Sequence, residues 1–148
     1  MYAKILVPVD GSPTSDAGLA EAIKVARLCG AQLHLMNAVD LHSFAMFSSA
    51  GLGLTPENFD LLREGGEKVL AAARAQVEAA GLPVQTHLIE SLASRVSDLI
   101  VQEARDCGAE LIVLGTHGRR GASRALLGSD AEMVLRQAPV PVLLVRGG

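Results

Sequence analysis

A three-layer, doubly wound α/β sandwich around a five-stranded parallel sheet is the fold class that the sequence predicts, and three observations predict it. Apolar runs of strand length alternate with segments of helical period along the chain. The connections between successive runs are too long and too helical to be hairpins, so the strands should run parallel. The runs are nearly continuous Val, Ile and Leu, as expected of strands covered by helices on both faces, and right-handed crossovers then favour the doubly wound arrangement.

The elements follow in order. Lys4 to Val9 (KILVPV) is the first strand, and Pro13 to Cys29 the first helix, with Ser12 as its cap and Leu19, Ile23, Ala26 and Leu28 as its inward stripe. Leu33 to Val39 is the second strand. A connection from Asp40 to Leu54 precedes a helix from Pro56 to Ala80, opened by the cap Thr55 with Pro56 in its first turn and closed by Gly81 and Pro83. Gly65 and Gly66 weaken this helix locally. Val84 to Ile89 is the third strand, Ala93 to Asp106 the third helix, with Val96, Leu99, Ile100 and Ala104 on one face, and Leu111 to Leu114 the fourth strand. Ser129 to Gln137 is the last helix and Val140 to Val145 the last strand.

A chain of 148 residues is read as a single domain spanning 1–148, long enough to bury roughly 70% of its unfolded surface around one core. Aromatics make up only 3% of it, so that core should be aliphatic. A net charge of −3 and a pI near 5.8 argue against an extended surface for nucleic acid, which needs clustered Lys and Arg. Cys29 and Cys107 each precede a glycine at a helix end, show no metal-ligand or C-x-x-C spacing, and read as buried thiols. The sequence opens on a strand rather than a leader pattern, and no apolar stretch reaches membrane-spanning length; the cytoplasm is the expected compartment.

The segment Gly115 to Ser129 (GTHGRRGASRALLGS) follows an apolar strand and leads into a helix. Gly115, Gly118 and Gly128, with Ser129 after them, would expose backbone N–H groups and the positive end of a helix dipole without Cβ atoms in the way, as a phosphate site requires. Arg119, Arg120 and Arg124 add forked donors suited to phosphate oxygens. The bland alternative is that the glycines serve turns and relieve crowding before the helix, and that the arginines form a solvated basic loop. Ligands of doubly wound sheets collect beyond the strand C-termini where the strand order reverses. Asp10 and Gly11, Ala38 to Asp40, and the glycine segment all follow strands, but periodicity does not fix the order that would bring them together.

Two stretches resemble a known family. Pro8 to Ser12 (PVDGS), and the glycine segment continuing into SDAEMVLRQAPVPVLLVR, look like a universal stress protein of the ATP-binding kind, and the resemblance runs over essentially the whole chain. It implies a sheet of order 3-2-1-4-5, a homodimer, and an adenine nucleotide, ATP with or without magnesium, at the crevice. On that resemblance Asp10, after Pro8 and Val9, would hold the ribose, and Ala38, beside Val39, would contact adenine through its backbone. Gly115, Gly118, Gly128 and Ser129 would line the triphosphate, with His117 and Arg119 in the same loop. One position departs from the pattern: the family often has a small apolar residue where this chain has Asp130. A carboxylate there is favoured by the helix dipole but would repel a bound phosphate unless it turned outward or shared a divalent cation; otherwise the pocket would take its ligand weakly, or take another adenosine compound.

Enzymatic classes are narrowed by what is missing. No G-x4-G-K-[ST] is present, which excludes a conventional P-loop NTPase, and there is no G-x-S-x-G elbow. No catalytic residue is assigned, and slow ATP hydrolysis is the most that turnover would amount to. Asp10, Asp40 and Asp130 could gather magnesium near the crevice, although Asp10 serves equally as a turn residue and Asp40 as a loop residue. His34, His42, His87 and His117 share no ligand spacing, and only His117 is placed for a polar role toward phosphate.

In a 3-2-1-4-5 order the last strand is an apolar edge that needs cover, from the chain's own helices or from a two-fold copy pairing along Val140 to Arg146. Pro139 and Pro141 fit an edge because they donate no ladder hydrogen bond. The connection Leu41 to Leu54 holds two phenylalanines and a methionine without a clear period, and reads as a lid or partner surface or, more blandly, as a self-packed Ω-like loop.

Overall fold

The structure, a computed structural model, describes residues 1–41, 55–116 and 127–147. Along these run β1 (Lys4–Pro8), α1 (Pro13–Cys29), β2 (Gln32–Asp40), α2 (Pro56–Ala79), β3 (Val84–Ser91), α3 (Val96–Cys107), β4 (Leu111–Gly115), α4 (Ser129–Gln137) and β5 (Val142–Val145). The strands form one sheet of order β3-β2-β1-β4-β5, with every pairing parallel. The expected fold class and strand order are therefore observed.

Alternation along the strands sends side chains to two aliphatic layers. Ile5, Val7 and Val9 of the first strand region and Leu33 and Leu35 of β2 meet Leu19, Ala22 and Ala26 of α1 and Leu70, Ala73 and Val77 of α2. On the opposite face Leu6, Met36, Ile112 and Leu114 pack with Ile100 and Ala104 of α3 and Ala131 and Val134 of α4. Helices thus cover the sheet in pairs, α1 and α2 on one side, α3 and α4 on the other.

The caps read from sequence are present. Ser12 Oγ accepts from the Ser15 N–H at 3.2 Å, and Thr55 Oγ1 from the Asn58 N–H at 3.3 Å. Several details differ. Leu28, expected inward, is 80% exposed: at 100° per residue it lies about 180° round α1 from Leu19, and Ala22 fills the stripe instead. Helix α3 begins at Val96 rather than Ala93, because Ser91 Oγ accepts from the N–H groups of Ala93 and Ser94 and holds that segment in a turn. The last strand begins at Val142 rather than Val140; Pro141 contributes only its carbonyl, which accepts from the Ile112 N–H at 3.0 Å.

Gly65 and Gly66 do not interrupt α2. A Cβ on Gly66 would lie 2.6 Å from Asn37 Oδ1 and 2.7 Å from Leu88 Cδ1, so this glycine lets the helix lie close on β2 and β3, while a Cβ on Gly65 would meet nothing within 4 Å. Cys29 and Cys107 are free thiols, half-buried rather than buried. The segment expected as a lid or Ω-like loop lies, apart from Leu41, outside the described residues.

Candidate functional site

The C-terminal ends of the strands share one edge of the sheet, and the strand order reverses between β1 and β4. From β1 the chain turns into α1 on one face; after β4 it returns through α4 on the other. The two crossovers diverge and leave a crevice between them.

One wall is the end of β1. Val9 is fixed on both sides: its N–H donates to the Met36 carbonyl at 2.8 Å, and its carbonyl accepts from Nδ2 of the buried Asn37 at 2.8 Å. Asp10 then turns the chain. Its N–H donates to Ser15 Oγ at 3.0 Å, and its Oδ1 accepts from the Ser12 N–H at 2.8 Å. Between them Gly11 adopts φ +80°, which a residue without Cβ takes readily. The turn role left open for Asp10 is thus observed, and it places the half-buried carboxylate at the mouth of the crevice.

The floor is the end of β2. Met36 directs its carbonyl at β1, and in a strand residues two apart present their backbone groups to the same side. Ala38, beyond the last residue of β1, therefore turns its N–H and C=O toward the β1 side, whereas buried Val39 is in register with Glu90 of β3.

The other wall is β4 and the start of α4. A Cβ on Gly115 would lie 2.6 Å from the Thr14 carbonyl oxygen and 3.1 Å from the Ser15 nitrogen, so the first turn of α1 packs directly on the backbone of β4. Close helix–strand approach is accordingly the role seen for this glycine. The Thr116 N–H donates to the Val145 carbonyl at 3.0 Å and its carbonyl accepts from the Gly128 N–H at 2.8 Å, which ties the end of β4 to the start of α4. Gly128 is the N-cap of α4 and supplies no side-chain cap, unlike Ser12 and Thr55. Ser129 and Asp130 open the helix and are exposed.

Pro8, Val9, Asp10, Ala38, Val39, Gly115, Gly128, Ser129 and Asp130 are thus brought to one end of the sheet. His117, Gly118 and Arg119, with Arg120 and Arg124, lie outside the described residues, as does the side chain of Asp40. Among the described residues, the group of three side chains with metal-ligand atoms in mutual reach is not built from aspartates: it is His34, His87 and Glu103. Their spacing along the chain gave no hint of it. The available signal was Glu103 itself, a carboxylate on the same face of α3 as Val96, Leu99 and Ile100.

Fold and crevice define the class: an open, doubly wound α/β protein whose candidate site lies at the reversal of strand order. The sequence matches the profile of the universal stress protein family over residues 1–146. The chain belongs to that family. It is 34% identical over 146 residues to a universal stress protein of Methanocaldococcus jannaschii, covering 99% of this chain and 83% of that protein. Among solved structures, a universal stress protein from Burkholderia pseudomallei superimposes with a TM-score of 0.77 at 33% identity, covering 97% of this chain and 96% of the other. A second M. jannaschii protein gives 0.83 at 26% identity, covering 99% and 96%. More distant structures of the same fold, each with a TM-score of 0.70, include a universal stress protein in complex with cAMP and one from Archaeoglobus fulgidus in complex with dAMP.

Proposed function

We propose that this protein binds an adenine nucleotide, ATP in its fullest form and with or without magnesium, in the crevice between β1 and β4. In this reading it acts as a cytoplasmic, nucleotide-dependent regulatory or protective module of the stress response with little or no turnover. The observation that carries the reading is the start of α4: a helix N-terminus capped by glycine alone, tied to the end of β4 and opposite the Asp10 turn. Such an end attracts anionic oxygens through its N–H groups and dipole. Ala38 offers a donor and an acceptor on the β1 side for a base edge, and Asp10 a carboxylate for ribose hydroxyls. Gly118, His117 and Arg119 complete the phosphate loop in this proposal. The cAMP and dAMP complexes of more distant relatives show that the fold accommodates adenine nucleotides.

Assembly belongs to the same proposal. All four residues of β5 are half-buried, and among the described residues the strand is paired only with β4. A two-fold copy adding along Val140 to Arg146 would cover that edge and close a homodimer.

The test is direct. Denatured, purified protein should release adenine nucleotide detectable by chromatography, or the nucleotide-free protein should give saturable heat on titration with magnesium and ATP; Gly118→Val should abolish either signal. Folded protein that releases none and gives no heat at millimolar ligand overturns the reading. The exposed carboxylate of Asp130 in the first turn of α4 supports a second one, a dimeric interaction module that uses no nucleotide. That alternative expects no binding in the parent protein and a gain of binding in Asp130→Val.

A further inference from the structure

Away from the crevice, three chemistry-bearing side chains from three different elements converge on the α3 face of the sheet. Strand register places His34 of β2 beside Gln85 and Met36 beside His87, so the two histidines lie two residues apart diagonally on neighbouring strands and project to the same face. Glu103 of α3 reaches between them. Nε2 of His34 is 2.7 Å, and Nδ1 of His87 2.9 Å, from the same carboxylate oxygen, Oε1.

Burial makes the arrangement unusual for a surface ion pair. The Glu103 side chain is 7% exposed and that of His34 10%, whereas His87, on the edge strand, is 54% exposed. A carboxylate held that far from water needs compensating charge or donors. Nδ1 of His34 has no hydrogen-bond partner among the described residues, so that ring is oriented through Nε2 alone.

We propose that His34, His87 and Glu103 form a binding site for a borderline divalent transition ion of the zinc class. Two imidazole nitrogens and one carboxylate oxygen, all within 4.8 Å of one another, are the donor set that zinc takes when three protein ligands leave a fourth position open. One divalent ion would sit between the two ring nitrogens and Oε1 of Glu103, each neutral imidazole carrying its single proton on the ring nitrogen away from the ion, Nδ1 in His34 and Nε2 in His87. The ionised carboxylate would balance part of the ion's charge. The ion would enter at the sheet edge past His87, and the open position would take water or an exogenous anion on that side. The site lies roughly 13 Å along β2 from Ala38, at 3.3 Å per residue. Its consequence is a clip holding α3 to the β2–β3 pair.

Untagged protein stripped with chelator and titrated calorimetrically with zinc chloride should take up one zinc per chain. His87→Ala, at an exposed position and therefore expected to keep the parent circular-dichroism spectrum, should weaken uptake by roughly tenfold or more, as should Glu103→Gln. Cobalt chloride should give the intense visible bands of a four-coordinate ion, lost in both variants. No saturable uptake at submillimolar zinc, or uptake unchanged in His87→Ala and Glu103→Gln, would overturn the proposal and leave a purely structural hydrogen-bonded cluster.

Discussion

Adding one methyl group at either of two adjacent glycines in α2 should move stability in opposite directions. Gly65 is exposed and its Cβ would meet nothing within 4 Å, so Gly65→Ala should stabilise by about 0.5–1 kcal/mol through helix propensity alone. Gly66→Ala gains the same propensity but drives a Cβ to 2.6 Å from Asn37 Oδ1 and 2.7 Å from Leu88 Cδ1. The Asn37 amide is buried and held by its 2.8 Å bond to the Val9 carbonyl; it yields only by giving up that bond. Overpacking costs about 1–3 kcal/mol and an unmet buried polar group about 1–3 kcal/mol. Because part of the strain is relieved by whichever group moves, the net loss should be roughly 1–3 kcal/mol. At about 2–4 °C per kcal/mol for a chain near this size, Gly66→Ala should melt roughly 2–12 °C below the parent and Gly65→Ala slightly above it. Differential scanning calorimetry of the two variants is the assay. Equal melting temperatures, or a more stable Gly66→Ala, would refute the packing argument.

Three further outcomes are expected. Gly115→Ala forces a Cβ onto the Thr14 carbonyl at 2.6 Å, a backbone atom that cannot rotate away; the loss should be about 1–3 kcal/mol, seen as a lower melting temperature together with weaker ATP heat, and parent-like values for both would contradict it. Ser15→Ala removes the acceptor of the Asp10 N–H and should cost about 1–2 kcal/mol in urea unfolding; a change within error would mean that the Asp10 turn is held by its other bonds. Burial pushes the Cys107 thiol above its ordinary value, so less of it is thiolate at any pH below that value. Peptide mapping after iodoacetamide at mildly alkaline pH should therefore show Cys107 labelled more slowly than a free thiol such as glutathione, and labelling at the same rate would count against the burial argument.

What could be read from the sequence was whatever local chemistry decides. Ser12 and Thr55 announced their helices because a cap acts on N–H groups two or three residues away. The apolar runs announced their strands because burial on both faces leaves little freedom of composition. Strand order depends on which neighbours pack laterally, which no period encodes, and it came from family resemblance. Leu28 was misplaced because residue type was weighed above its angle round the helix. The late start of α3 goes with one hydroxyl, Ser91 Oγ, which accepts from the N–H groups of Ala93 and Ser94 in a turn ahead of the helix. At the site, the turn at Asp10 was legible as one of two readings because turns have residue signatures, whereas Gly128, read as lining a phosphate or relieving crowding, is seen in the structure as the N-cap of α4. The His34–Glu103–His87 cluster was not legible, since it exists only through the lateral neighbourhood of β2 and β3 under α3.

Thr116 joins two regions that the proposed function treats separately. Its N–H holds the end of β5, the edge offered to a second copy, and its carbonyl holds the N-cap of α4, the end offered to phosphate. A shift of this single peptide on ligation would be felt at the subunit boundary. Linkage then requires reciprocity: by whatever factor the nucleotide tightens self-association, self-association tightens the nucleotide. The apparent ATP affinity of such a protein would rise with its own concentration, making the response a readout of protein abundance as well as of ligand supply.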